Sequence, residues 1–200
     1  MNKAVLFLLV LFGSSTVTAQ PGFKLHGWGL IAGANFSKLN FDRVPFPPLS
    51  PLTTSFEASP RFGLFTNMQL FKNFSLRNEY LYSQVKNRVK STGEQYRLNY
   101  ISLPVLLNYQ VVPKLSVLAG PEFGLLLDAE KKENNITKNI THDTEERSFG
   151  FVGGVGYALS STISLHARYQ HGINHIGIGQ RSDVVECKLE QMQFLLQIGF

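Results

Sequence analysis

Residues 191–200 read Gln191-Met192-Gln193-Phe194-Leu195-Leu196-Gln197-Ile198-Gly199-Phe200. Every second residue from Met192 to Phe200 is apolar, while Gln191, Gln193, Gln197 and Gly199 are polar or small, with Leu195 the exception. A period of two belongs to a β-strand with unlike faces, because successive side chains point to opposite sides of the strand. On a helix the same residues would be scattered around the circumference.

The alternation recurs up the chain. Ile163, Leu165, Ala167 and Tyr169 oppose Ser164, His166, Arg168 and Gln170, and Ile101, Leu103, Val105, Leu107 and Tyr109 oppose Ser102 and Asn108. Leu115, Val117, Ala119, Phe123, Leu125 and Leu127 oppose Ser116, Gly120, Glu122 and Gly124, and Phe62, Leu64, Met68 and Leu70 oppose Gly63, Asn67 and Gln69. Fainter versions lie at Trp28–Ser37, Phe74–Val85 and Ser148–Leu159, so the pattern predicts eight strands. Short turns are expected near Lys72-Asn73, Val112-Pro113-Lys114 and Ser160-Ser161-Thr162, and longer links at about 38–60, 86–95, 129–147 and 172–186. The result is an antiparallel meander with two unequal ends. The first long link carries Pro45, Pro47, Pro48, Pro51 and Pro60, and proline breaks regular hydrogen bonding.

Alternation alone leaves open which face is outward. A soluble barrel would carry many Lys and Glu on its outside, yet here the polar face is mostly Gly, Ser, Asn and Gln, which suits the crowded interior of a narrow barrel. The expected fold is therefore all-β: an eight-stranded antiparallel up-and-down transmembrane β-barrel with its apolar face in lipid. Trp28, Tyr80, Tyr82, Tyr109, Tyr157, Tyr169 and Phe200 lie on the apolar face near inferred strand ends, where amphipathic rings mark a water–lipid boundary.

Composition agrees. The chain is 44% hydrophobic and 16% charged with 16 Phe, too apolar for disorder. Lys3 followed by the apolar run Ala4–Phe12 and Val17-Thr18-Ala19 reads as a secretory signal over residues 1–19, cut at Ala19/Gln20, leaving one barrel domain at 20–200. That run is too short to span a bilayer as a helix, and no later segment reaches the needed length uninterrupted. The lone Cys187 excludes an internal disulfide. A net charge of +5, or +4 without Lys3, with no basic helix gives no reason to expect nucleic acid.

The motifs Gly33-Ala34-Asn35-Phe36-Ser37, Glu79-Tyr80-Leu81-Tyr82-Ser83, Tyr100-Ile101-Ser102-Leu103-Pro104, Gly120-Pro121, Gly153-Gly154-Val155-Gly156-Tyr157 and Arg168-Tyr169, in that order and with Phe200, resemble the Bacteroidetes outer-membrane β-barrel family that includes PorT-like porin-family barrels. The resemblance covers nearly all of residues 20–200. It implies a bacterial outer-membrane location, outer-membrane lipid and other envelope proteins as partners, and for PorT-like members a link to type IX secretion. Fold alone does not transfer function.

The lumen of an eight-stranded barrel is filled by its own side chains, so an open pore is not expected. Arg77, Glu79, Glu122, His166 and Arg168 fall on the inferred inward face and are expected to form one buried polar network by mutual pairing. Ser164 and His166, two apart on that face, are within hydrogen-bonding reach, which raises a lipid A-modifying enzyme as an alternative, but the sequence places no acidic orienter beside them. His171 and His175 offer no third metal ligand, and Gly150, Gly153, Gly154 and Gly156 lack a phosphate-loop ending, so close strand packing is their expected role. No cofactor or metal is expected. The functional expectation is a non-enzymatic barrel with a plugged lumen, acting through loops or outer wall as a structural or interaction component. The alternative is an accessory subunit of a secretion or uptake complex.

Overall fold

The computed structural model describes residues 24–43, 54–89, 93–133, 135–178 and 185–200, without the side chains of 24–26, 42 and 43. The expected signal segment and Pro45, Pro47, Pro48 and Pro51 lie outside these residues. Eight long strands form the wall: β1 (Lys24–Arg43), β2 (Glu57–Phe71), β3 (Phe74–Arg88), β4 (Gln95–Val112), β5 (Leu115–Glu133), β7 (Arg147–Ala158), β8 (Ile163–Gly172) and β10 (Val185–Gly199). Each pairs antiparallel with its sequence neighbour in the wall, and β1 pairs with β10 from Gly29↔Gly199 upward, which closes the barrel. Closure satisfies every strand edge with another strand. Two short strands belong to the long-loop end: β6 (Ile136–Asn139) on β5, and β9 (Ile176–Ile178) on β10. Among the described residues no helix is long and apolar enough to cross a membrane.

The strands run further than the alternation suggested. The link expected at 38–60 shortens because β1 continues to Arg43 and β2 begins at Glu57, so Pro60 sits inside a strand opposite Ala34. β2 pairs with β3 only from Arg61 onward, immediately after Pro60, whose missing N–H would break the ladder. Past that point side chains replace it: Ser59 Oγ and Asn35 Nδ2 both donate to the Gln84 carbonyl, and Ser37 Oγ donates to that of Lys86. The other long links shrink likewise, since β3 reaches Arg88, β4 starts at Gln95 and β5 extends to Glu133.

The two faces divide as the period of two requires, but their polarity reverses along the barrel axis. On β10 the outward series Ile198, Leu196, Phe194 and Met192 is apolar, then gives way to Glu190, Lys188 and Glu186. Inward, Gln197, Gln193 and Gln191 give way to Leu189 and Cys187. On β1, Leu30 and Phe36 outside yield to Lys38, while Asn35 and Ser37 inside yield to Leu39. β4 repeats the switch, with Leu107, Val105 and Ile101 outside followed by Asn99 and Arg97, and Tyr100 and Leu98 inside. Beyond the switch, apolar residues fill the barrel: Leu39, Val85, Leu98, Tyr100, Ala129, Cys187 and Leu189 pack with Ile140, Ile176 and Ile178 brought in by the loops. A bulge between Asn99 and Tyr100, opposite Leu127, resets the phase of β5 so that Ala129 turns inward.

Candidate functional site

The lumen below this apolar cap is shut by polar side chains interleaved with two smaller apolar clusters, Ile31, Phe65, Leu81 and Leu195, and Leu106, Leu118 and Val152. Arg77, Glu79, Glu122, His166 and Arg168 all point inward and are buried, as their strand parity requires. Arg168 grips Glu79 with two parallel hydrogen bonds, Nη1 to Oε2 at 2.7 Å and Nη2 to Oε1 at 2.8 Å, a bidentate geometry only a guanidinium offers. Glu122 is held at 2.8 Å by Arg61, a fully buried residue the sequence pattern had not singled out. Arg61 is two residues below Gly63 on one face of β2, so parity would have placed it inward had the strand been extended past Phe62. Gln191 Oε1 accepts from Arg61 and Asn35, and Gln193 donates to Gln170 Oε1 at 3.1 Å. The expected single network is instead two ion pairs embedded in amides, with His166 outside both. The pairs must be closed because an isolated buried charge costs several kcal/mol.

His166 Nε2 lies 3.0 Å from Ser164 Oγ, so the predicted neighbours do meet, while Nδ1 is buried with no hydrogen-bond partner. Among the described residues no carboxylate orients this ring, and the pair opens into the lumen at the short-turn end. A triad geometry is not assembled. Glycines make the space: a Cβ at Gly156 would stand 2.6 Å from His166 Cε1, and one at Gly154 would stand 2.8 Å from Arg168 Cγ. Gly153, expected to be needed for the same packing, faces outward with nothing within 4 Å.

The outward aromatic residues separate into levels. Trp28 stacks near Phe200 with ring centroids 5.0 Å apart, and Phe74 near Tyr109 at 4.6 Å; these and Tyr157 lie by the short turns. Tyr82 donates to Asn99 Oδ1 at 2.9 Å and Tyr169 hydrogen-bonds Glu190, so both sit where the wall's polarity switches. Tyr80 corrects the sequence expectation: it is in the middle of β3 opposite Leu64, away from either strand end, because β3 is longer than its alternating core.

Above the switch the outer wall carries polar ladders. Gln84 and Tyr82 both donate to Asn99, which donates to Asp128 Oδ2 at 2.9 Å, and Arg97 pairs with Glu130 at 3.3 Å. Lys131 meets Glu94 at 2.7 Å beside Tyr96, where burial pushes the Tyr96 phenol up to about 12. Cys187 Sγ donates to the Ile176 carbonyl inside the cap, which ties β9 down. His171 is exposed on the outer wall, and no group of three metal-ligating side chains occurs among the described residues.

A family model described as "Outer membrane protein beta-barrel domain" matches residues 18–177. Among solved structures the chain is similar to Neisserial surface protein A (NspA), at 12% identity and a TM-score of 0.56 over 86% of this chain and 97% of that one. It is also similar to Ail, the attachment invasion locus protein of Yersinia pestis, at 11% identity and a TM-score of 0.50 over 88% of this chain and 100% of that one. At these identities the likeness is one of fold. No curated protein sequence matches the chain.

Proposed function

The chain belongs to the outer membrane protein β-barrel domain family, and from that premise we propose that it is a non-enzymatic barrel with a closed lumen whose long-loop end and outer wall serve as an interaction component of the envelope. The observation that carries this reading is the closure. Two buried ion pairs, Arg168–Glu79 and Arg61–Glu122, cross the interior, and an apolar cap stacks above them. Solutes have no path through such a barrel, so its work falls to its surfaces.

In this family's membrane the short turns face the periplasm and the longer loops the exterior. Trp28, Tyr109, Tyr157 and Phe200 then form the periplasmic aromatic belt, and Tyr82 and Tyr169 belong to the outer one, with Tyr80 inside the lipid band. The lumen network of Arg77, Glu79, Glu122, His166 and Arg168, completed by Arg61, acts as a rigid plug. Ile140, Ile176 and Ile178 anchor the loop segments to the cap, which gives an interaction surface a firm base. The narrower resemblance to PorT-like barrels adds a place in a larger envelope assembly.

Two measurements test the reading. In planar bilayers the purified barrel should give no discrete conductance steps; steady channels would refute the closed lumen. A mild-detergent pull-down of the tagged protein from its own outer membrane should recover a partner at fixed stoichiometry that is lost when residues 135–140 are exchanged for a Gly/Ser turn. Recovery of the barrel alone across several detergents would contradict an interaction role.

A further inference from the structure

The plug does not reach the short-turn end. Below it a cavity of about 410 Å³ opens between the strand ends, with Arg77, Ser116, Ser164 and His166 on its walls and Lys114 and Trp28 among the residues nearer its rim. We infer that this vestibule is a binding site for a phosphate-class oxoanion.

Charge is the first ground. The lining carries two cations, Arg77 and Lys114, and no Asp or Glu side chain among the described residues. Glu79 is occupied by the bidentate grip of Arg168. Arg77 therefore rests on neutral partners: Nε donates to Asn67 Oδ1 at 2.8 Å, Nη1 donates to Gln197 Oε1, and the guanidinium lies 4.7 Å from the Phe65 ring centroid. With Glu79 shared between Arg77 and its bidentate partner Arg168, a second anion beside this largely buried guanidinium is favoured.

The second ground is an unpartnered ring nitrogen. His166 is 95% buried, since its exposure is 5%. Its Nδ1 has no partner, while Ser164 holds Nε2 at 3.0 Å. With the Ser164 hydroxyl donating to Nε2, the ring hydrogen sits on Nδ1. Arg77, the Ser116 hydroxyl and His166 come from β3, β5 and β8. One ion with several oxygens can accept from separate walls at once, whereas a halide cannot spread its contacts that way. The cavity is more than ten times the ~30 Å³ share of a water molecule, enough for the anion with part of its hydration shell.

The same chemistry could arrive as free phosphate or as the phosphoryl group of a lipid, and the experiment separates the two. Binding is read by isothermal titration calorimetry, because Trp28, the only tryptophan of the chain, has its ring on the outer face against Phe200. The folded barrel in an uncharged detergent is titrated with inorganic phosphate at constant ionic strength, with chloride as the balancing salt, and in parallel with dihexanoyl phosphatidic acid. A saturable response to phosphate is expected, with Arg77→Gln raising Kd at least tenfold, Lys114→Gln raising it severalfold, and Arg97→Gln at the far end leaving it unchanged. Tighter binding of the phosphatidic acid identifies the lipid-borne group as the source; equal or weaker binding identifies free phosphate. Lys114 lies in an exposed turn, so its variant keeps the test decisive if Arg77→Gln fails to fold. A response that chloride reproduces, or one that neither variant weakens, means an adventitious ion only and overturns the inference.

Discussion

The lower and upper halves of this barrel are the same tube with opposite polarity. In the lower half the wall is apolar outside and holds the buried ion pairs inside among smaller apolar clusters, whereas above Lys38, Asn99 and Glu190 charges turn outward and Leu39, Leu98 and Leu189 turn inward. β1 and β10 pass the switch at Lys38 and Glu190 without a bulge there, so backbone structure is not its general cause. The outside solvent is. Lipid demands apolar side chains on the wall and leaves the polar ones to pair within, while water demands the reverse and lets the interior pack like an ordinary core. The inner layers accordingly differ in kind: ion pairs fixed on facing strands below, and a cap above that recruits loop residues.

That comparison can be broken by substitution. Glu79→Ala strands Arg168 in the lower interior, and a urea refolding titration should show a loss of about 3–5 kcal/mol, the range for removing one member of a buried pair. Leu98→Ala in the upper interior should behave as a core cavity and cost about 2–5 kcal/mol by the same assay, with no dependence on salt. On the outer wall, Leu196→Arg below the switch should cost about 2–4 kcal/mol, since it moves a charge into lipid. Arg97→Gln above the switch removes only the exposed pair with Glu130 and should stay within about 1 kcal/mol. Equal costs for the last two would erase the distinction between the halves.

The lower half was the legible one. There the period of two in Met192–Phe200 or Ile163–Tyr169 identifies strand and face together, and the inward placement of Glu79, Glu122 and Arg168 follows from parity alone. The upper half hid because its signal is inverted. Leu39, Ala129 and Leu189 alternate with charged or polar neighbours in a sense that reads as loop when apolar residues are sought on one constant face. Pro60 concealed the start of β2, and with it Arg61, the partner Glu122 requires. The bulge opposite Leu127 could not be read at all, because one extra residue changes the phase without changing composition. Which buried carboxylate pairs with which arginine depends on strand stagger around the barrel, a quantity that no single strand's pattern contains.

Cysteine scanning along the outer face of β10 tests the two-solvent account most directly. In a Cys187→Ser background, spin labels are placed singly at 186, 188, 190, 192, 194, 196 and 198 of the barrel in lipid bilayers, and their collisions with oxygen and with an aqueous nickel chelate are compared. The account predicts oxygen-dominated relaxation from Met192 to Ile198 and chelate-dominated relaxation from Glu186 to Glu190, with the crossover between 190 and 192. One uniform regime along the whole strand, or a crossover several residues away, would contradict it.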